Sequence, residues 1–359
     1  VTDRTRTPAP PPWRRLLGAV ALGTLGGAAA AWAQLPLAWM IGAMLTTTAG
    51  AMAGLPIAVP PRLRGLFVVV LGLMLGSSFT PAIFERLGDW AISLSALAVY
   101  IVVSGAAGIL FFRWFVGYDR VTAYFAAMPG GLTEMVLVGA ALGGNMVVIS
   151  LTHAARILLI VLTLPFAFQL LLGYDPAARP AAGAALGELA ASDLLLLALC
   201  GAAGYFGARA LRLPAAPVVG PMILSAAVHL AGWTDVPPPT VLVAAAQVVV
   251  GASIGCRFAG VGVRFVARVL SAAAGATLLM VAVTLLIAWA IHAGTGLSTG
   301  ALVLAFAPGG LAEMSLIALA LSMDAAFVAT HHIVRIFLVV VLAPLAFRAL
   351  GRRAAPGGD

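Results

Sequence analysis

The 359-residue chain is 62% hydrophobic and only 9% charged, with a mean hydropathy of +1.10 and a net charge of +8. Soluble domains carry about 25% charged residues, so this chain lacks the polar groups to cover itself in water and takes the bilayer as its solvent. Its twenty basic residues are all Arg, mostly in short loops and near the ends, a distribution that sets membrane orientation and does not point to nucleic acid.

Residues 1–12 are polar and end in Pro8-Ala9-Pro10-Pro11-Pro12, which reads as a disordered cytoplasmic tail. Arg14 and Arg15 precede an apolar run without a convincing cleavage site, so no cleaved signal peptide is expected. Six apolar segments fill a first membrane unit, residues 13–173, at about 16–33, 36–54, 65–80, 90–112, 121–144 and 146–172. Residues 174–188, with Asp175, Pro176, Arg179, Pro180 and Glu188, form a linker. A second unit, 189–350, holds six more segments at about 190–210, 215–232, 241–257, 266–293, 298–321 and 325–350. Residues 351–359 form a C-terminal tail. The expected fold class is all-α: a polytopic membrane bundle of two homologous repeats.

The repeat is the strongest internal signal. Residues 129–168 align without a gap on 308–347, with 17 of 40 positions identical. Pro129-Gly130-Gly131-Leu132 with Glu134-Met135 matches Pro308-Gly309-Gly310-Leu311 with Glu313-Met314. His153, Arg156 and Pro165 match His332, Arg335 and Pro344, and Gly72 and Gly76 match Gly251 and Gly255.

Arginine placement orients the halves. In the first, the basic loops follow segment 2 (Arg62, Arg64) and segment 4 (Arg113, Arg120). In the second they follow segment 1 (Arg209, Arg212) and segment 3 (Arg257, Arg264, Arg268). The phase flips, which makes the repeats inverted, with both termini and loops 54–64 and 209–214 cytoplasmic. Inversion needs an odd number of crossings per half, so one of six segments must fail to span. Pro-Gly-Gly removes a donor and side-chain support from the fifth, which favours a re-entrant hairpin or a discontinuous helix there. The alternative is that 36–54 or 65–80 folds back.

The ionisable residues inside apolar segments are few, and a charge at bilayer depth is costly. Glu134 and Glu313 each follow a helix break. The bland reading is a carboxylate complementing a helix N-terminus; the functional one is a site for a coupling cation, with the amides of Gly130, Gly131, Gly309 and Gly310 free to bind an anion. His153 and Arg156 share a helix face at i, i+3, as do His332 and Arg335. The bland reading is an ion pair from each Arg to a Glu, with His as a polar spacer; the functional one makes His protonatable. Asn145 and Asp324 read as helix N-caps. Cys200 and Cys256 suggest no disulfide framework, and no His, Cys and carboxylate set has metal-ligand spacing. No metal, cofactor or catalytic residue is therefore expected. The absence of a phosphate-cradling Gly-Lys-Ser/Thr loop excludes an ATP-driven pump in this chain.

The Pro-Gly-Gly-Leu-x-Glu-Met motif, the following His-x-x-Arg and their duplication resemble the bacterial AbrB-duplication family of membrane proteins over residues 15–350. Members carry two labels, ammonia monooxygenase and AbrB-type regulator of gene expression. The oxygenase label conflicts with the missing metal ligands. Leu35-Pro36 through Gly42 and the glycines of 65–80 are more distantly similar to the cation/proton antiporter and bile-acid-type transporter group, whose inverted repeats bring broken helices together at midplane. The resemblance implies a non-enzymatic protein of the bacterial cytoplasmic (inner) membrane. Its partners would be lipid and a small-molecule or ion ligand, without direct nucleic-acid binding, and a homo-oligomer is left open. Two functions follow: a secondary transporter whose site lies at the repeat interface, or a membrane-embedded regulator acting through a sensed ligand or a partner protein.

Overall fold

A computed structural model describes residues 11–81, 83–173 and 183–353. The described residues form fourteen α-helices and no strand. The first half contains α1 (Pro12–Trp32), α2 (Ala38–Met52), α3 (Pro61–Gly76), α4 (Ile83–Phe111), α5 (Arg120–Ala127), α6 (Leu132–Ala141) and α7 (Met146–Leu172). The second repeats the series as α8 (Ala191–Ala210), α9 (Ala216–Leu230), α10 (Thr240–Gly255), α11 (Val263–Thr295), α12 (Thr299–Phe306), α13 (Leu311–Ala320) and α14 (Ala325–Arg353). Seven helices are long and apolar enough to cross a bilayer, namely α1, α4, α7, α8, α10, α11 and α14. This is a multi-pass membrane protein.

Small residues decide which helices touch. A side chain on Gly26 of α1 would collide with the Gly42 carbonyl of α2, and one on Gly204 of α8 with Gly220 of α9. Backbones meet directly there, as apolar helices do in lipid, where packing rather than water exclusion drives association. The halves then exchange partners. Gly72 of α3 abuts Val218 and Pro221 of α9, and Gly251 of α10 abuts Met40 and Ala43 of α2. Arg64, in the first turn of α3, donates from Nε to Ser253 Oγ in the last turn of α10 at 3.1 Å. The start of α3 thus meets the end of its repeat equivalent α10.

Each fifth segment is a hairpin. Residues 128–131 and 307–310 are non-helical, and the chain reverses there. The end of α6 returns to the start of α5, where Asn145 N–H donates to Thr122 Oγ1 at 2.8 Å. Gly300 at the start of α12 likewise lies against Met323, just past α13. Asp119 caps α5, its Oδ1 accepting from Val121 N and Thr122 N at 3.0 and 2.9 Å. Burial raises the Asp119 pKa, but these hydrogen bonds outweigh it and hold the carboxyl below its ordinary value. Asn145 and Asp324 cap α7 and α14 through their side-chain oxygens, as their turn chemistry predicts.

Some boundaries differ from expectation. Helix α4 starts at Ile83 and not near residue 90, because its polar first turns extend beyond the apolar run. The expected C-terminal tail begins inside α14, which runs to Arg353, and residues 1–10 and 354–359 lie outside the described residues. So do 174–182 of the linker, while Ala184 exchanges backbone hydrogen bonds with Pro238 and Thr240.

Candidate functional site

Both hairpins are anchored by the same three-part device on the following long helix. His153 of α7 donates from Nε2 to the Phe125 carbonyl at 2.9 Å, and its Nδ1 accepts from Arg156 Nη2 at 2.9 Å. His332 of α14 repeats this with the Leu304 carbonyl at 2.9 Å and Arg335 Nη2 at 2.8 Å. A guanidinium only donates and a carbonyl only accepts, so each ring is the neutral Nε2–H tautomer. A second proton would have to displace the Arg from Nδ1. With both ring nitrogens committed, the geometry favours the polar-spacer reading of the histidines over the protonatable one.

The arginines reach the breaks themselves. Arg335 donates to the carbonyls of Ala307 and Gly309 at 2.6 and 2.7 Å, whereas Arg156 reaches only the Met128 carbonyl, at 3.4 Å. The Nε of each is buried without a partner. No ion pair joins either Arg to Glu134 or Glu313 among the described residues. The charge balance in the sequence suggested such pairing; the structure satisfies the guanidinium groups with carbonyls freed by the Pro-Gly-Gly breaks instead. Prolines 129 and 308 are buried, and their missing N–H frees the carbonyls four residues back, Phe125 and Leu304, which are the ones that His153 and His332 take.

The glutamates fold back over the breaks. Gly131 and Gly310 are the N-caps of α6 and α13, and a side chain on either would collide with the carboxylate of Glu134 or Glu313. Each Glu occupies the third helical position, from which a carboxylate complements the helix N-terminus. Glu313 is buried and Glu134 half-buried.

These groups converge on one cavity of about 870 Å³. Gly130, Gly131, Glu134, His153 and Arg156 line it from the first half, and Gly309, Gly310, Glu313 and Arg335 from the second. Of the residues singled out in the sequence, His332 and the two prolines stand behind the wall. His331 also turns away, toward Phe327 and Ser93. Among the described residues no three His, Cys, Asp or Glu side chains cluster as a metal site would require.

Three further arginines line the cavity, Arg64, Arg209 and Arg257, and sequence reasoning took all three for orientation signals. Arg257 Nη1 donates to Ser150 Oγ at 3.0 Å and Arg209 Nη1 to the Tyr205 hydroxyl at 3.4 Å. Arg64 carried one clue: a cation in the first turn of α3 opposes the helix dipole. Loops 54–64 and 209–214, expected on one side of the membrane, meet at this same cavity.

The profile of the family described as "Transition state regulatory protein AbrB" matches residues 39–351. The protein YhjN of Bacillus subtilis (strain 168) is 29% identical over 92% of this chain and 92% of its own. A protein of Escherichia coli (strain K12) named "Putative regulator AbrB" is 24% identical over 89% of this chain and 92% of its own.

Proposed function

The chain belongs to the AbrB family, and on that premise we propose that it is a secondary transporter of a small solute, working at the site where its two hairpins meet. One observation carries the reading: two broken helices from opposite halves place their tips, charged side chains and unwound backbone on a single cavity. Unwound backbone survives at membrane depth where it lines a cavity, and carriers put their sites at the interface of inverted repeats.

The topology follows from the same features. The shorter helices α2, α3 and α9, of 15, 16 and 15 residues, taken as crossings beside the seven longer ones, make five crossings and one re-entrant hairpin per half, the odd number that inversion needs. Arg64, Arg209 and Arg257 line the cavity and Arg209 is exposed, so the positive-inside rule favours the cytoplasmic side of the inner membrane for that face. The cavity then opens inward, and the protein acts as a carrier without chemical conversion. Glu134 and Glu313 take the coupling cation or proton, and Arg156 and Arg335 hold the solute and the hairpin tips.

The names of the family and of its E. coli relative favour a second reading, a membrane-embedded regulator that senses a ligand. A sensor needs its pocket open to one side, whereas a carrier must open to both. Thr133 lines the cavity and is exposed. Thr133→Cys, in a background lacking Cys200 and Cys256, should react with a membrane-impermeant maleimide in both inside-out and right-side-out vesicles. Labelling from one side alone would favour the sensor and defeat the carrier.

A further inference from the structure

Five arginines face two glutamates around the cavity, and the five guanidinium groups bond only to neutral partners. Arg64 and Arg257 bond to serine hydroxyls, Arg209 to a tyrosine, and Arg156 and Arg335 to histidine and backbone carbonyls. Burying a cation without a counter-ion is costly, and this fold does so twice, at symmetry-related positions. Arg156 and Arg335 face the same cavity from opposite halves. A cationic solute would meet that excess positive charge, and a neutral one would leave it uncompensated.

We propose that the cavity takes a small organic dianion, a dicarboxylate, with one carboxylate on Arg156 and the other on Arg335. Each guanidinium keeps one N–H, its Nε, without a partner; a carboxylate accepts such a donor in a charge-assisted hydrogen bond, and two of them from two halves match a ligand with two ends. A monoanion would leave one Arg without its counter-charge. The N-termini of α6 and α13, each ten residues long, add partial positive charge on the same side. Arg64, Arg209 and Arg257 on the same cavity focus the field and draw anions in.

The dianion also gives the glutamates a task. Unpaired, Glu134 and Glu313 offset two of the five arginines and repel an anion. With one cation or proton on each carboxylate, Arg156 and Arg335 carry the double positive charge that a dicarboxylate neutralises. Loading is then electroneutral, with two monovalent cations per dianion. This substrate class rests on the carrier reading for its cycle, although binding itself does not require transport.

The test is calorimetric titration of the purified full-length protein with succinate, glutarate and citrate. Butyrate serves as a monoanion, succinamide as a neutral analogue and inorganic phosphate as a competing anion. At least one di- or tricarboxylate should bind about tenfold more tightly than butyrate or phosphate, and succinamide should give no heat. Arg156→Gln should weaken that binding at least about a hundredfold. Should that variant fold poorly, Arg156→Lys keeps the charge, loses the Nε donor and should cost about tenfold. Joint Glu134→Gln and Glu313→Gln should tighten anion binding several-fold, since the repelling charges are gone. Phosphate bound as tightly as any dicarboxylate, or a loss of anion affinity in the double Gln variant, would overturn the proposal. No dicarboxylate heat beside two-sided labelling of Thr133→Cys would sink the dianion and leave the carrier standing. Dicarboxylate heat with one-sided labelling would do the opposite.

Discussion

The two hairpins carry one motif in two settings. In hairpin 2, Leu311–Ala318 of α13 is buried throughout, and Arg335 clasps two carbonyls of the break within 2.7 Å. In hairpin 1, only Met135 and Gly139 of α6 are buried, and Arg156 holds one carbonyl at 3.4 Å. The histidine geometry is the same in both, so the motif itself is not what differs. The surroundings differ: both helices line the cavity and pack against α7 and α14, but α13 also packs against α3, and Thr133 and Leu137 on the cavity side of α6 are exposed where Leu311 and Ala312 of α13 are buried. The repeated unit is held tightly in one half and loosely in the other, which is the asymmetry that the proposed carrier would use.

The largest expected difference lies in the arginines. Arg335→Gln strands two buried carbonyls and a histidine nitrogen, each costing about 1–3 kcal/mol when left unpaired. Arg156→Gln strands far less. We expect the Arg335 variant to be less stable than the Arg156 variant by about 2–3 kcal/mol, read as a lower melting temperature in detergent. Equal melting temperatures would erase the distinction between the hairpins.

A smaller effect should appear in amide exchange. Residues 129–134 sit in a segment with few buried contacts, and such segments open locally at lower free energy. Mass-spectrometric hydrogen exchange should find them at least about tenfold faster than 308–313, a difference of about 1.4 kcal/mol in opening. Slower exchange at hairpin 1 would reverse the assignment of the loosely held half.

The smallest effect concerns the glutamates. Had Glu134 or Glu313 been paired with a buried Arg, its replacement by Gln would cost about 3–5 kcal/mol. Neither makes such a pair here, so each Glu→Gln variant should melt within about 1 kcal/mol of the parent, the worth of a helix-terminal carboxylate. If the proposed carrier uses these carboxylates for a coupling cation, transport should nevertheless be lost in both. A variant that melts early would restore the ion pair that the geometry lacks.

Much of this was legible in the order of residues alone. Membrane class, the duplication, the two helix breaks and the pairing of His with Arg are local or repeated patterns: runs of apolar residues, a shared Pro-Gly-Gly, a spacing of three on a helix. Such patterns depend on near neighbours in the chain, which is why residues 129–131 and 308–310 could be named as breaks beforehand. What the fifth segment does after its break was left open in the sequence, and the chain's return to Thr122 settled it. The partners of Arg156 and Arg335, the recruitment of Arg64, Arg209 and Arg257 to the cavity, and the unequal burial of the two hairpins were decided only by the tertiary structure. The physical reason is that a charge takes its partner from whatever lies within a few ångströms. In this fold those distances are set by helices from opposite halves crossing at glycines, as α3 does on α9 and α10 on α2.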